Sequence, residues 1–303
     1  MRRVKLTLTY DGTAYRGFQL QPNGPTVQAL AEEALGRILQ EAVKLRAAGR
    51  TDSGVHAREQ VVDFADSGNR PLETILRGGN ALLPPDIRIV SAEEVPLSFD
   101  ARRHSKEKEY RYFLHLHPVA SPFFSRYAWH IEKHLDLGAM WEGLAHVVGE
   151  HDFASFRGQG CTAVTTIRTI FRAELSELYP GLHFIGISGG GFLRHMVRNI
   201  VGTVVDVGKG DNPPERVRDL LSLRDRSEAG PTAPAHGLFL WSVTYSDRAP
   251  RSAAFPGYGG AAAGGGRSEV KPRRAGPPHV EPRAESPSGA AQPVWHAREQ
   301  QTG

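Results

Sequence analysis

At 303 residues the chain has room for two modest domains, and its 40% hydrophobic content is enough to build buried cores. Its one cysteine, Cys161, excludes an internal disulfide and a thiolate metal cage, and no apolar run approaches the roughly 18 residues of a membrane span. The net charge of +4 and pI near 9.3 point towards nucleic acid, but most of the excess lies after Asp247, so a basic surface on the body has to come from local clustering.

The N-terminal MRRVKLTLTYDG alternates with period two and ends in Asp11-Gly12. That predicts a strand running into a turn instead of a signal peptide, and a cytoplasmic protein. TVQALAEEALGRILQ places Val27, Leu30, Ala34, Leu35, Ile38 and Leu39 on one helical face, with Thr26 as N-cap. A short strand, KLRAAG, then leads into AAGRTDSGVHARE. Asp-Ser-Gly is turn chemistry, because Asp can bond to nearby backbone and Gly54 tolerates a positive φ. Asp52 therefore sits on a tight loop between strands, either supporting that turn or free to face a cleft. HAREQVVDFA reads as a third strand, LETILRGGNALL as a helix closed by Pro84 and Pro85, and DIRIVSAEEV as a fourth strand. The order strand, helix, strand, strand, helix, strand is the split βαβ, ferredoxin-like unit.

A polar, basic stretch from Pro96 to Lys106 suits a crossing between domains. EYRYFLHLH resumes alternation, with Tyr110, Tyr112, Leu114 and Leu116 on one side and Arg111, Phe113, His115 and His117 on the other. LDLGAMWEGLAHVVG predicts an amphipathic helix, EHDFASFRGQG a loop, and TIRTIFRAELSEL and GLHFIGISG two strands. FLRHMVRNIVGTVVDVG is the most apolar helix, and GLFLWSVTY a last strand. The expected fold is α+β. It comprises an N-terminal ferredoxin-like domain over 1–100 and a second over 101–246, whose mixed antiparallel sheets meet at a central cleft. From 247 to 303 the Gly, Ala, Pro, Arg and Ser composition predicts a disordered tail. Arg102, Arg103, Lys106, Lys108 and Arg111 form one basic cluster, interleaved with Glu107 and Glu109; Arg157, Arg168, Arg172, Arg194 and Arg198 supply further cations.

Eight separated stretches occur in order: YDGTAYRGFQLQ, TVQALAEEAL, GRTDSGVHA, NALLPPDIRI, FDARRHSKEKEYRY, HDFASF, FLRHMVRNIVG and GPTAPAHGLFL. Together they resemble the TruA-type tRNA pseudouridine synthases from residue 4 to about 245. Ser53 stands where that family often has Ala, and RRHSKEKE is a variant of the segment before the tyrosines.

The resemblance implies conversion of uridine to pseudouridine in the anticodon arm of tRNA, around positions 38 to 40, by a homodimer. It implies no cofactor and no metal, since no atom is gained or lost overall. It makes Asp52 the catalytic carboxylate, acting as nucleophile or as base towards a ribose proton. It makes Arg198 the ion-pair partner of Asp52, Tyr110 the active-site tyrosine against the uracil, and Leu238 a wall of the pocket. Arg50 would fill the space left when the stacked base is flipped out. The histidines do not form a zinc pattern: His115 and His117 share a strand face and His130 and His134 stand four apart, but HExxH and a cysteine pair are both absent. In HDFASF, Asp152 is expected to cap neighbouring amides. Two other classes fit parts of the chain: a non-catalytic RNA-binding protein of two ferredoxin-like modules, which would lack the usual aromatic signature, and an aspartate-nucleophile phosphohydrolase, which would need an acidic metal cluster.

Overall fold

A computed structural model describes residues 1–68 and 70–245; the expected disordered tail lies outside the described residues. Strand β1 (Arg2–Tyr10) turns Val4, Leu6, Leu8 and Tyr10 inwards, as its period-two pattern requires. It pairs antiparallel with β3 (His56–Asp66) on one side and with β4 (Ile87–Val95) on the other. The short β2 (Arg46–Ala47) runs antiparallel to the far end of β3, opposite Val62 and Asp63. Helices α1 (Val27–Leu39) and α2 (Leu72–Leu82) supply apolar faces to this half. Thr26 caps α1 by accepting from the Ala29 N–H at 3.3 Å. Helix α2 lies so close to β4 that a β-carbon on Gly79 would fall 2.3 Å from the Ile89 Cδ1.

The second half contributes β5 (Glu107–Leu116), β6 (Trp129–Ile131), α3 (Leu137–Ala145), β7 (Gly149–Asp152), β8 (Ile167–Tyr179), β9 (Leu182–Gly189), α4 (Met196–Gly208), α5 (Glu215–Leu223) and β10 (Leu238–Thr244). All the strands join one ten-stranded sheet whose main path runs β4, β1, β3, β10, β5, β9, β8, β7. Strand β10 stitches the halves together, parallel to β3 at His56 and Ala57 and antiparallel to β5 along most of its length. Helix α4 is buried on nearly every side, which is what a helix apolar all round demands. Fully burying each of its valines and isoleucines contributes roughly 1.5–3 kcal/mol. As expected, Tyr110, Tyr112 and Leu114 join the main core, while Phe113 faces a smaller cluster with Phe184 and Trp241.

Three local expectations change. Part of the anticipated EHDFASFRGQG loop is β7, paired with β8, followed by a 3-10 turn at Ala154–Phe156; Phe153 and Phe156 are fully buried, so the backbone carrying them must find partners. The apolar helix begins at Met196, not Phe192, because His195 adopts a left-handed conformation and breaks the helix there. The first basic cluster is not one exposed face. Arg111 lies buried between Phe184 and Trp241 and bonds to Glu109, Lys108 is 8% exposed, and Arg102, Arg103 and Lys106 remain at the surface. Helix α5 and strand β6 had no counterpart in the sequence reading. Among the described residues no helix is long and apolar enough to cross a membrane.

Candidate active site

The loop between β2 and β3, which carries Asp52, is clamped from several directions. The Gly49 carbonyl accepts from Gln60 Nε2 at 2.8 Å, and Thr51 Oγ1 shares a hydrogen bond with Tyr10 Oη at 2.8 Å. A turn closes from the Val55 N–H to the Asp52 carbonyl at 3.1 Å, with Gly54 at φ +78°, where the third position of such a turn demands a positive φ. The YDGTAYRGF stretch then folds over it. The Phe18 N–H donates to the Thr51 carbonyl at 3.1 Å, Ser53 Oγ donates to the Tyr15 carbonyl at 3.2 Å, and Gly12 approaches so near that a β-carbon there would lie 2.0 Å from the Val55 carbonyl oxygen. Buried His56 fixes the start of β3: its Nδ1 accepts from the Gly12 N–H at 3.0 Å and its Nε2 donates to the His236 carbonyl at 3.1 Å. The Asp-Ser-Gly turn is thus rigid, and the Asp52 side chain stays 27% exposed.

Helix α4 faces that carboxylate. Arg198 Nη1 lies 3.7 Å from Asp52 Oδ2, and His195 Nε2 lies 3.6 Å from the same oxygen. Arg198 is 14% exposed and is aimed by its own hydrogen bond, Nε to the Ala233 carbonyl at 2.7 Å. Burial lowers the Arg198 pKa while Asp52 opposes the shift, and a guanidinium starts so high that it stays charged. Two unit charges about 4 Å apart near a protein surface attract by roughly 4 kcal/mol before desolvation is counted. The segment that anchors Arg198 is itself held by Asn199, whose Oδ1 accepts from Thr232 Oγ1 at 2.6 Å and from Arg226 Nη2 at 3.2 Å.

The Tyr110 ring is buried and meets Phe192 edge-on at 5.0 Å. Its hydroxyl points towards the Gly49 backbone, 3.8 Å from where a β-carbon would stand. Burial, then Tyr10 and Asp52, push its pKa upward, so the phenol stays protonated and offers an O–H or a ring face instead of a phenolate. Leu238 is buried at the start of β10, opposite Tyr112, just after the turn whose Ala235 Cβ would lie 3.3 Å from a β-carbon on Gly54. Arg50 is exposed, two residues before Asp52. The structure therefore brings Asp52 and Arg198 together directly, sets Tyr110 beneath the Gly49 end of the loop, and leaves Arg50 facing outwards.

Several residues went unrecognised in the sequence. His195 is the foremost: it stands three residues before Arg198 in FLRHMVRN, a spacing that puts two side chains on one side of a helix, and that i, i+3 relation was the signal for it. A cleft of about 600 Å³ is lined by the Gly158–Gly160 turn with Arg194, His195, Arg226 and Thr232. Lys108 packs beside Gly49, and its Nζ donates to Ser105 Oγ at 2.7 Å. Asp152 does cap the Ala154 N–H at 3.1 Å, and it also pairs with Arg224. His115 stacks on His117 at 5.6 Å, and among the described residues no group of three or more His, Cys, Asp or Glu side chains is placed to hold a metal ion.

A clamped carboxylate paired with a part-buried arginine, next to a cleft lined by His195 and two further arginines, is suited to an anionic ligand. The family model for tRNA pseudouridine synthase matches residues 7–102 and 144–246. Proteins named tRNA pseudouridine synthase A from Pelobacter propionicus and Geobacter sulfurreducens are each 47% identical over 245 residues, 81% of this chain and 100% of theirs. One of the same name from Myxococcus xanthus is 43% identical over 250 residues, covering 82% of this chain and 94% of its own. The chain belongs to the tRNA pseudouridine synthase family.

Proposed function

We propose that this protein isomerises uridine to pseudouridine in tRNA, with Asp52 as the catalytic carboxylate. The observation that carries the reading is the Asp52 carboxylate on its clamped turn, met on one oxygen by Arg198 at 3.7 Å. In the reaction the N1–C1′ bond breaks, the uracil turns over, and a C5–C1′ bond forms. The proton on C5 leaves and N1 gains one, so the sum is unchanged. A single anchored carboxylate suffices, either by attacking the sugar or by taking a ribose proton, and the Arg198 charge supports the anion in either route. Tyr110 contributes a ring face and an O–H at the floor, with Leu238 packed in the wall behind. Arg50, long, planar-headed and exposed, occupies the stack vacated by the flipped base.

The substrate in this reading is the anticodon arm, around positions 38 to 40, read through its phosphates by Arg102, Arg103, Lys106, Arg157 and Arg194 at the surface. The protein works in the cytoplasm as a homodimer; family membership supports this, and β8 exposes Ile167, Phe171 and Tyr179 as apolar area for a second copy. Strand orders β4, β1, β3, β2 and β10, β5, β9, β8 support reading each half as a ferredoxin-like unit.

The test is tritium release from tRNA labelled at uridine C5. The wild-type protein should release it, and Asp52→Asn should release none while binding tRNA within a few-fold. Retained turnover by the purified variant would refute the role of Asp52. Tight binding without release by the wild type would favour a non-catalytic RNA-binding protein.

A further inference from the structure

We propose that His195 is a positioning residue for the isomerisation, its Nε2–H holding Asp52 Oδ2 so that the carboxylate faces the ribose of the flipped nucleotide. This rests on the reading of Asp52 as the catalytic group. Three independent features of the fold converge on the imidazole. Its Nε2 stands 3.6 Å from Oδ2, the oxygen that Arg198 also addresses, so a small shift on substrate binding makes a hydrogen bond. Its backbone sits at φ 60°, ψ 0°, a left-handed conformation that costs a non-glycine residue on the order of 1–2 kcal/mol. Glycine would remove that cost, whereas asparagine, like histidine, is among the side chains that tolerate the left-handed region. Finally, the ring lies against Gly158, where a β-carbon would come within 2.7 Å of Nδ1 and 2.8 Å of Cγ. The Gly158 N–H is in turn held by the Arg194 carbonyl at 2.8 Å, so both sides of the contact are fixed.

The charges around the ring set its protonation. Asp52 faces it from the catalytic turn, Arg194 and Arg198 from its own segment, and Arg226 from the loop packed against α4. Burial lowers the imidazole pKa first; Asp52 raises it, and the three guanidiniums lower it again. The ring is therefore neutral at pH 7. A neutral donor orients the carboxylate without adding a second full charge beside Arg198. Once protonated, the imidazolium would draw Asp52 into a close ion pair and away from the sugar. The proton thus acts as an inhibitor, and turnover should fall as pH drops through a pKa below the usual histidine value.

The experiment compares wild type, His195→Asn and His195→Gln in single-turnover rate, tRNA affinity, thermal melting and pH profile, with Asp52→Asn alongside. Asparagine suits the left-handed backbone but is too short to reach Oδ2, whereas glutamine extends a donor to about the same distance. His195→Asn should melt no lower than wild type, bind tRNA within a few-fold, and turn over roughly 10- to 100-fold slower, the scale of a misplaced reacting group. His195→Gln should recover much of that rate and lose the acid limb of the profile. Wild-type rates in His195→Asn, or an unchanged acid limb in His195→Gln, would overturn the proposal. So would equal losses of rate in both variants accompanied by equal losses of melting temperature, which would make the residue structural. Activity in Asp52→Asn would instead overturn the parent reading, whatever the His195 variants do.

Discussion

Lys108 carries an ammonium group into a place where the sequence suggests a solvated basic face. It is 8% exposed, and burial, helped by Arg102, lowers its pKa from 10.5 to about 8. The folded value lies below the unfolded one, so between about pH 8 and 10.5 the unfolded chain holds the extra proton and stability rises with pH. Below pH 8 both states hold it and the full cost of burying the charge is present. Lys108→Met, which keeps the length and removes the charge, should therefore stabilise the protein at pH 7 by about 1–3 kcal/mol and flatten the alkaline rise. Urea melts at pH 7 and pH 9.5 check both effects; a less stable variant at pH 7 would mean that the Ser105 bond outweighs desolvation. That the lysine persists beside Gly49 and Tyr110 despite its cost matches the general observation that strained or costly groups collect at working sites.

Helix α4 shows how an element can be legible while its consequence is not. Its apolar run is plain in the sequence, but Gly202 looks there like an ordinary weakness in a helix. In the fold, a β-carbon on Gly202 would lie 1.7 Å from the Pro231 carbonyl oxygen, so the glycine lets the 230–233 segment seat on the helix. That segment carries the Ala233 carbonyl that aims Arg198 at Asp52. Alanine is the better helix former by about 1 kcal/mol, yet overpacking against backbone costs roughly 1–3 kcal/mol and here has no flexible side chain to yield. Gly202→Ala is expected to destabilise the protein on balance and to slow turnover beyond the loss of folded material. Measuring the rate per folded molecule at a temperature well below the melt separates the two; a stabilised, fully active variant would show that the 230–233 segment yields freely.

At the scale of the whole molecule, β10 is the strand on which both halves depend. It begins at Leu238, pairs with β3 and β5, and ends at Thr244, after which Tyr245 still donates its hydroxyl to the Ala101 carbonyl at 2.7 Å. Cutting the chain after residue 246 should leave melting temperature and single-turnover rate unchanged, with at most a weaker, salt-sensitive hold on tRNA from the lost arginines. Cutting before Leu238 should abolish folding, because β3 and β5 would both lose a partner and expose strand edges. Circular dichroism melts and tritium release on the two truncations check this, and a collapsed long form would assign the residues after 246 a structural role.

Local periodicity determined most of the elements. The alternation of β1, β3 and β5, the cap at Thr26 and the Asp-Ser-Gly turn are all written in neighbours a few residues apart, where sterics and burial act directly. The pairing of Asp52 with Arg198 came from family resemblance, and the local pattern around either residue does not contain it. What only the tertiary structure decided spans longer separations. One continuous sheet joins the two halves through β10, Lys108 and Arg111 are buried out of a basic run, and a left-handed His195 stands at the start of α4 and lies 3.6 Å from a carboxylate 143 positions earlier. Propensity could not announce the surroundings of that histidine, because Gly158, Asp52 and Arg226, which stand around its ring, all lie far from it in sequence.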